Sequence, residues 1–127
     1  MPDTSATKPN VENTIPVLGV SDMRRSALFY TETLGFELNW GGGEDDALST
    51  VSKDGHSIML MANGQTGSWV WIGLEDNALM ELYMERGVKI VQKPKNRPWA
   101  YEMKIADPDG NVLWLGTGTR QDLPVED

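Results

Sequence analysis

The stretch Val20-Ser21-Asp22-Met23-Arg24-Arg25-Ser26-Ala27-Leu28-Phe29-Tyr30-Thr31-Glu32-Thr33-Leu34-Gly35-Phe36 reads as strand end, helix, cap and new strand. Asp22 is an N-cap, because its short side chain can accept from a free N–H of the first turn. Met23, Ala27, Tyr30 and Leu34 fall at steps of four, three and four, one face of a helix. Gly35 stands where a helix C-cap belongs. Outward from it, Ile15 to Val20 reads as a strand. Phe36, Leu38 and Trp40 alternate with Glu37 and Asn39 in a half-buried strand. Gly41-Gly42-Gly43 is a turn and Ala47 to Val51 a weak strand. Lys53-Asp54-Gly55-His56 is a hairpin turn and Ser57 to Ala62 another strand.

The same order then returns. Trp69 to Leu74 is a strand and Asp76 an N-cap. Leu79, Leu82, Tyr83 and Arg86 share a helical face, and Gly87 ends that helix. Val88 to Val91 is a strand, and Lys93-Pro94-Lys95-Asn96-Arg97-Pro98 a loop. Tyr101, Met103 and Ile105 alternate along a strand, Asp107-Pro108-Asp109-Gly110-Asn111 is a hairpin turn, and Val112 to Leu115 closes the unit. Gly19 and Gly73 stand 73 − 19 = 54 apart, as do Asp22 and Asp76, and Asp54-Gly55 and Asp109-Gly110 stand 55 apart. The fold class expected is α+β, two βαβββ modules in one domain spanning 14–120. Module 1 covers about 14–64 and module 2 about 68–118, with a loose arm at 1–13 and a frayed acidic tail at 121–127.

Composition narrows the function. The 127 residues carry a net charge of −8 at pH 7, which disfavours nucleic acid and anionic membrane surfaces and favours cationic small molecules. The chain has no Cys, and so no disulfide, thiolate metal site or Cys nucleophile; its one His, His56, sits in a turn and reads as a surface residue. No apolar run is long enough to span a membrane, and the first ten residues lack the apolar core of a signal peptide. A cytoplasmic protein without nucleic-acid or membrane partners is expected. Gly41-Gly42-Gly43 is no phosphate loop, since Glu44-Asp45-Asp46 follows it; that acidic run reads as a solvated loop and Glu75-Asp76 as a helix start.

The 20–36 stretch, the repeat and Asp107-Pro108-Asp109-Gly110-Asn111, with Trp99 in the loop ahead, resemble the glyoxalase/bleomycin-resistance/extradiol-dioxygenase superfamily over roughly residues 13–118. The resemblance implies a cup built from two βαβββ modules and a homodimer. In that family's enzymes four cup-facing positions hold a divalent metal with His, Glu or Gln. The matching positions here are Ile15, Met59, Trp69 (or Val70, one residue on) and Trp114, where the family's spacing from D-P-D-G-N calls for Glu. None is a ligand for a hard divalent ion, so no metal or other cofactor is expected.

Strand alternation places Leu18, Val20, Val70, Ile72, Leu74, Leu113 and Leu115 under the helices. It turns Met59, Met61, Trp69, Trp71, Val112 and Trp114 to the cup, where Trp40 and Trp99 can join them. Tyr101, Met103 and Ile105 face the core, leaving Glu102 and Lys104 toward the cup. Glu102 is a handle for a cationic ligand, or else pairs across strands with Lys or Arg. The leading expectation is non-catalytic binding of a small aromatic, possibly cationic molecule, as in bleomycin-resistance proteins. The alternatives are a metal-dependent lyase, isomerase or oxygenase with unrecognised ligands, and an interaction module whose cup is filled by its own Trp side chains.

Overall fold

Helix α1 (Met23–Leu28) begins where an extended Asp22 accepts a hydrogen bond from the Arg25 amide at 3.0 Å. The helix widens into a π-helical stretch over Phe29–Thr33, closed by the Leu34 amide on the Phe29 carbonyl. Met23, Ala27, Tyr30 and Leu34 are all buried, as their spacing predicts. A computed structural model describes residues 8–126, so the first half of the expected arm lies outside the described residues.

Around α1 run β1 (Val17–Val20), β2 (Glu37–Gly41), β3 (Leu48–Lys53) and β4 (His56–Ala62), in the sheet order β1-β4-β3-β2. The second half repeats this with β5 (Trp69–Gly73), α2 (Ala78–Glu85), β6 (Ile90–Asn96), β7 (Tyr101–Ala106) and β8 (Val112–Thr117), in the order β5-β8-β7-β6. In each sheet the first strand of the unit pairs parallel to the last, and the other pairings are antiparallel. The fold is α+β, two βαβββ modules. The β3–β4 turn puts Asp54 and Gly55 at φ 50 and 82°, the left-handed pair that a two-residue hairpin needs.

One core joins the halves. Leu18, Val20, Ile58 and Leu60 meet Met103, Ile105, Leu113 and Leu115, with Tyr30, Met80 and Tyr83 from the helices. The 107–111 turn clasps the modules together. The Tyr30 hydroxyl donates to Asp107 Oδ2 at 2.9 Å, Asn111 Nδ2 donates to the Gly19 carbonyl at 2.9 Å, and Ser21 donates to Asp109 Oδ1. Burial, together with the Asp107 carboxylate, pushes the Tyr30 hydroxyl well above its ordinary pKa. On α2 the Tyr83 hydroxyl donates to the Leu34 carbonyl at 2.6 Å, and burial pushes its pKa up as well.

Five details depart from the sequence reading. The 93–98 stretch read as a loop is strand as far as Asn96; β6 is an edge strand with register shifts, which accommodates Pro94. Trp40 does not share a face with Leu38, because a bulge between them turns Trp40 to the side of Thr50 and Met59. The residue preceding α2 is Asn77, while Asp76 accepts from the Ala78 amide just ahead of the helix. The buried face of α2 is carried by Met80 and Tyr83, with Leu79 and Leu82 packed beside it and Arg86 exposed. The described part of the acidic tail is tied to β6: buried Asn96 donates through Nδ2 to the Arg120 and Leu123 carbonyls and accepts from the Arg120 amide, and the Glu126 amide donates to the Asn96 carbonyl.

Candidate functional site

Strand register settles which side chains share the face turned away from the core. On the first sheet Val17 pairs with Met59, Gly19 with Met61, and Trp40 with Thr50, so Trp40, Met59 and Met61 lie on that face. On the second sheet Trp71 pairs with Trp114, Trp69 with Val112, and Lys104 with Trp114, so Trp69, Trp71, Trp114, Glu102 and Lys104 lie on the equivalent face. Val70, with Leu113, is on the core side.

The three indoles of the second sheet form one group. Trp71 meets Trp114 edge to face at 5.1 Å between ring centroids, and Trp69 meets Trp114 edge to face at 6.3 Å. Trp69 and Trp71 remain 58% and 50% exposed, so the group is not core of this chain. Its floor is a pair of glycines, Gly73 opposite Gly116. A Cβ at Gly116 would lie 2.1 Å from Cη2 of Trp71, so the ring occupies the place of a side chain. Nothing in the strand pattern marks this floor beyond the two glycines themselves.

Two polar side chains complete the face. Glu102 is 1% exposed, covered by its neighbours on the open face rather than sunk in the core. Its Oε2 accepts from Gln92 Nε2 at 2.9 Å and its Oε1 from Trp99 Nε1 at 2.8 Å. Burial raises the Glu102 pKa, but these hydrogen bonds and the Lys104 charge outweigh it and hold the carboxyl below its usual range. The ion-pair partner is Lys104, 3.7 Å away and two residues on along the same strand rather than across strands. Lys104 Nζ lies 5.5 Å from the Trp69 ring centroid and 5.1 Å from that of Trp114, and donates to Gln92 Oε1 at 3.0 Å. Sequence reasoning put Lys104 on this face without giving it a role; a cation two residues along a strand from the carboxylate was the available signal. Trp99 is exposed and is steadied by the Glu102 bond and by the Arg97 guanidinium, 5.6 Å from its ring centroid.

A separate groove of about 790 Å³ lies between the run into β1, with the β3–β4 turn, and β5 with the start of α2. Ile15, Pro16 and His56 line one side, Val70, Trp71 and Leu79 the other. Of the side chains that strand alternation turns to the cup, Trp71 alone lines it.

The metal site that the resemblance implies does not fit these residues. Register pairs Val17 with Met59 and Trp71 with Trp114, with Trp69 two residues earlier on β5 and Ile15 two residues ahead of β1. None offers a lone pair to a hard cation, since an indole N–H only donates. Among the described residues no three His, Cys, Asp or Glu side chains come together as a metal set.

Two four-stranded βαβββ sheets, each leaving one face open and one of them lined with indoles, define a small-domain architecture with a face free to bind. The chain belongs to the Glyoxalase/Bleomycin resistance protein/Dioxygenase superfamily, which it matches over residues 14–115. It is similar to TnmS3, an antibiotic binding protein from Streptomyces sp. CB03234 (28% identity, TM-score 0.71, covering 87% of this chain and all of that one). It also resembles the bleomycin-binding protein of Streptomyces verticillus solved with copper(II)-bleomycin (21% identity, TM-score 0.68, covering 87% and 99%). A third likeness is to the bleomycin resistance determinant encoded on transposon Tn5 (21% identity, TM-score 0.72, covering 85% and 98%). No curated protein matches the sequence. Among the described residues no helix is long and apolar enough to cross a membrane.

Proposed function

We propose that this chain binds a small aromatic molecule without transforming it, on the face formed by Trp69, Trp71 and Trp114. Trp99 and Glu102 form the border of that site, and Trp40, Met59 and Met61 form the matching face of the first sheet. The observation that carries the reading is the open edge-to-face group of indoles on its glycine floor. Three aromatic contacts at about 0.5–1.5 kcal/mol each, added to about 4 kcal/mol for roughly 150 Å² of apolar burial, give about 5.5–8.5 kcal/mol before the cost of association, so micromolar affinity is the upper bound. The similarity to an antibiotic binding protein supports the same class of ligand.

The chain acts as a homodimer in this reading. Trp40 and Met61 are exposed on the open face of the first sheet, and Trp69, Trp71 and Trp99 on that of the second. A second copy that sets its first sheet against the partner's second sheet would cover both groups and enclose the ligand between chains. A cysteine-free chain of net charge −8 suits a cytoplasmic setting. That charge would draw a cationic ligand at long range, whereas Lys104 on the aromatic faces opposes one at contact.

Tryptophan emission titrated with a panel of planar aromatic compounds tests the reading. Saturable quenching is expected, and Trp71→Ala weakens it tenfold or more. A panel without any quenching would favour a protein-interaction module. Sedimentation equilibrium at micromolar concentration is expected to give twice the chain mass of 14.1 kDa, and a monomer would remove the shared groove.

A further inference from the structure

We infer that the molecule this site takes is a planar aromatic bearing a hydrogen-bond-accepting oxygen, neutral or anionic rather than cationic, and that Lys104 is the residue that selects it. The inference rests on the reading of this face as a binding site and specifies its ligand.

Three observations carry it. First, the place a ligand cation would take over the indoles is already held by the chain's own ammonium, 5.5 and 5.1 Å from the Trp69 and Trp114 ring centroids. An incoming cation on these rings would meet Lys104 at close range and be repelled. Second, the carboxylate that would grip a cation is closed. Both Glu102 oxygens already accept hydrogen bonds, Lys104 stands 3.7 Å off, and the side chain is almost without exposure.

Third, what the face has left to offer are donors. A lysine ammonium carries three N–H groups. One goes to Gln92 Oε1, and the distance to Glu102 is that of an ion pair rather than a hydrogen bond. The Trp114 indole N–H is buried against Glu102, whose ionised form it favours, and is closed to a ligand. A ring system stacked on Trp71 with a carbonyl, phenolate or carboxylate oxygen reaching toward Lys104 uses the ammonium donors that remain. The net charge of −8 works against anions at a distance. Screening confines that effect at physiological salt, where the Debye length is about 8 Å, so the local donors decide.

The test uses two probes with one ring system and opposite charge, anthracene-9-carboxylate and 9-(ammoniomethyl)anthracene, titrated against tryptophan emission of the full chain in 0.15 M salt. The carboxylate is expected to bind at least tenfold more tightly, about 1.4 kcal/mol. Lys104→Met should erase or reverse that ratio, and Lys104→Arg should keep it. An ammonium probe that binds the wild type as tightly as the carboxylate, or more tightly, overturns the inference while leaving the binding site standing. So does a ratio unmoved by Lys104→Met. If neither probe changes the emission at millimolar concentration, the inference and the binding reading fall together. The wild-type ratio decides alone if Lys104→Met does not fold.

Discussion

Gly116→Ala is a small change with a local and calculable effect. Gly116 lies in β8 without a positive φ, so alanine suits its backbone. The added methyl would stand 2.1, 2.8 and 2.9 Å from three ring carbons of Trp71. Carbon contacts settle at about 3.5–4.0 Å, so the indole must withdraw by roughly 1.5 Å. Trp71 is half exposed and can swing outward. The move opens its contact with Trp114, at a loss of about 0.5–1.5 kcal/mol. Replacing glycine returns about 0.4–1 kcal/mol by restricting the unfolded chain. The two nearly cancel, and stability should stay within about 1 kcal/mol of wild type, a few degrees in Tm. Binding has no such compensation, because the stacking surface has moved; Kd for anthracene-9-carboxylate should rise about tenfold, or 1.4 kcal/mol. Near-ultraviolet circular dichroism, which reads the Trp71–Trp114 geometry, should change alongside. Unaltered dichroism with unaltered Kd would show that the indole does not rest on Gly116. A destabilisation beyond about 3 kcal/mol would show that the ring cannot yield, and the reasoning would fail there instead.

Tyr30→Phe removes a buried donor to an ionised carboxylate and should cost about 1.5–3 kcal/mol in urea unfolding at pH 7; a cost below about 0.5 kcal/mol would deny the clasp. Tyr30 and Tyr83 both have folded-state pKa values above the unfolded value of about 10, so the folded chain keeps protons that the unfolded chain releases. Their contribution is therefore intact below pH 10 and is lost above it, at about 1.4 kcal/mol per pH unit for each tyrosine. Tyr83→Phe should halve that alkaline slope, and an unchanged slope would place the titration elsewhere. Asn96→Ala should loosen the chain after Arg120, seen as faster amide exchange at Arg120 with the core amides unaffected; full protection there would show that the tail is held by other contacts.

The architecture was legible because it rests on local signals that agree. Asp22 caps, Met23, Ala27, Tyr30 and Leu34 keep helical step, and Asp54-Gly55 turns as such pairs do. The alternation of Trp69 and Trp71 with Val70 and Ile72 correctly parts the open face from the core. What escaped the sequence depends on partners far along the chain or on backbone irregularity. Pro94 reads as a loop unless the strand is known to be an edge. Trp40 changes face through a bulge that no residue type announces. Asn96 holds the tail, but an asparagine beside prolines looks like a turn. Lys104 sits on the right face by parity alone, yet its position over two indoles is set by their rotamers, and those depend on packing between β5, β7 and β8.

The two halves share a plan, and their differences put the indole group in the second. Val17 pairs with Met59 where Trp71 pairs with Trp114, and Gly19 pairs with Met61 where Gly73 pairs with Gly116. A valine needs no floor, so the first half can carry Met61; an indole laid back over its own sheet requires the side chain beneath it to vanish. The large residue at 71 and the absent one at 116 therefore belong to one substitution of shape. The turns diverge in the same way. Asp54-Gly55 closes a hairpin at the rim of the β1–β5 groove, whereas the 107–111 turn is drawn inward, where Asp107 and Asn111 join module 2 to Tyr30 and Gly19. Since that clasp and the indole group flank β8, at its start and along its open face, the strand carrying Trp114 and Gly116 is fixed at its entry to the core of both modules. An aromatic ligand would thus meet a face whose backbone is already held, and only the half-exposed rings of Trp69, Trp71 and Trp99 have to adjust.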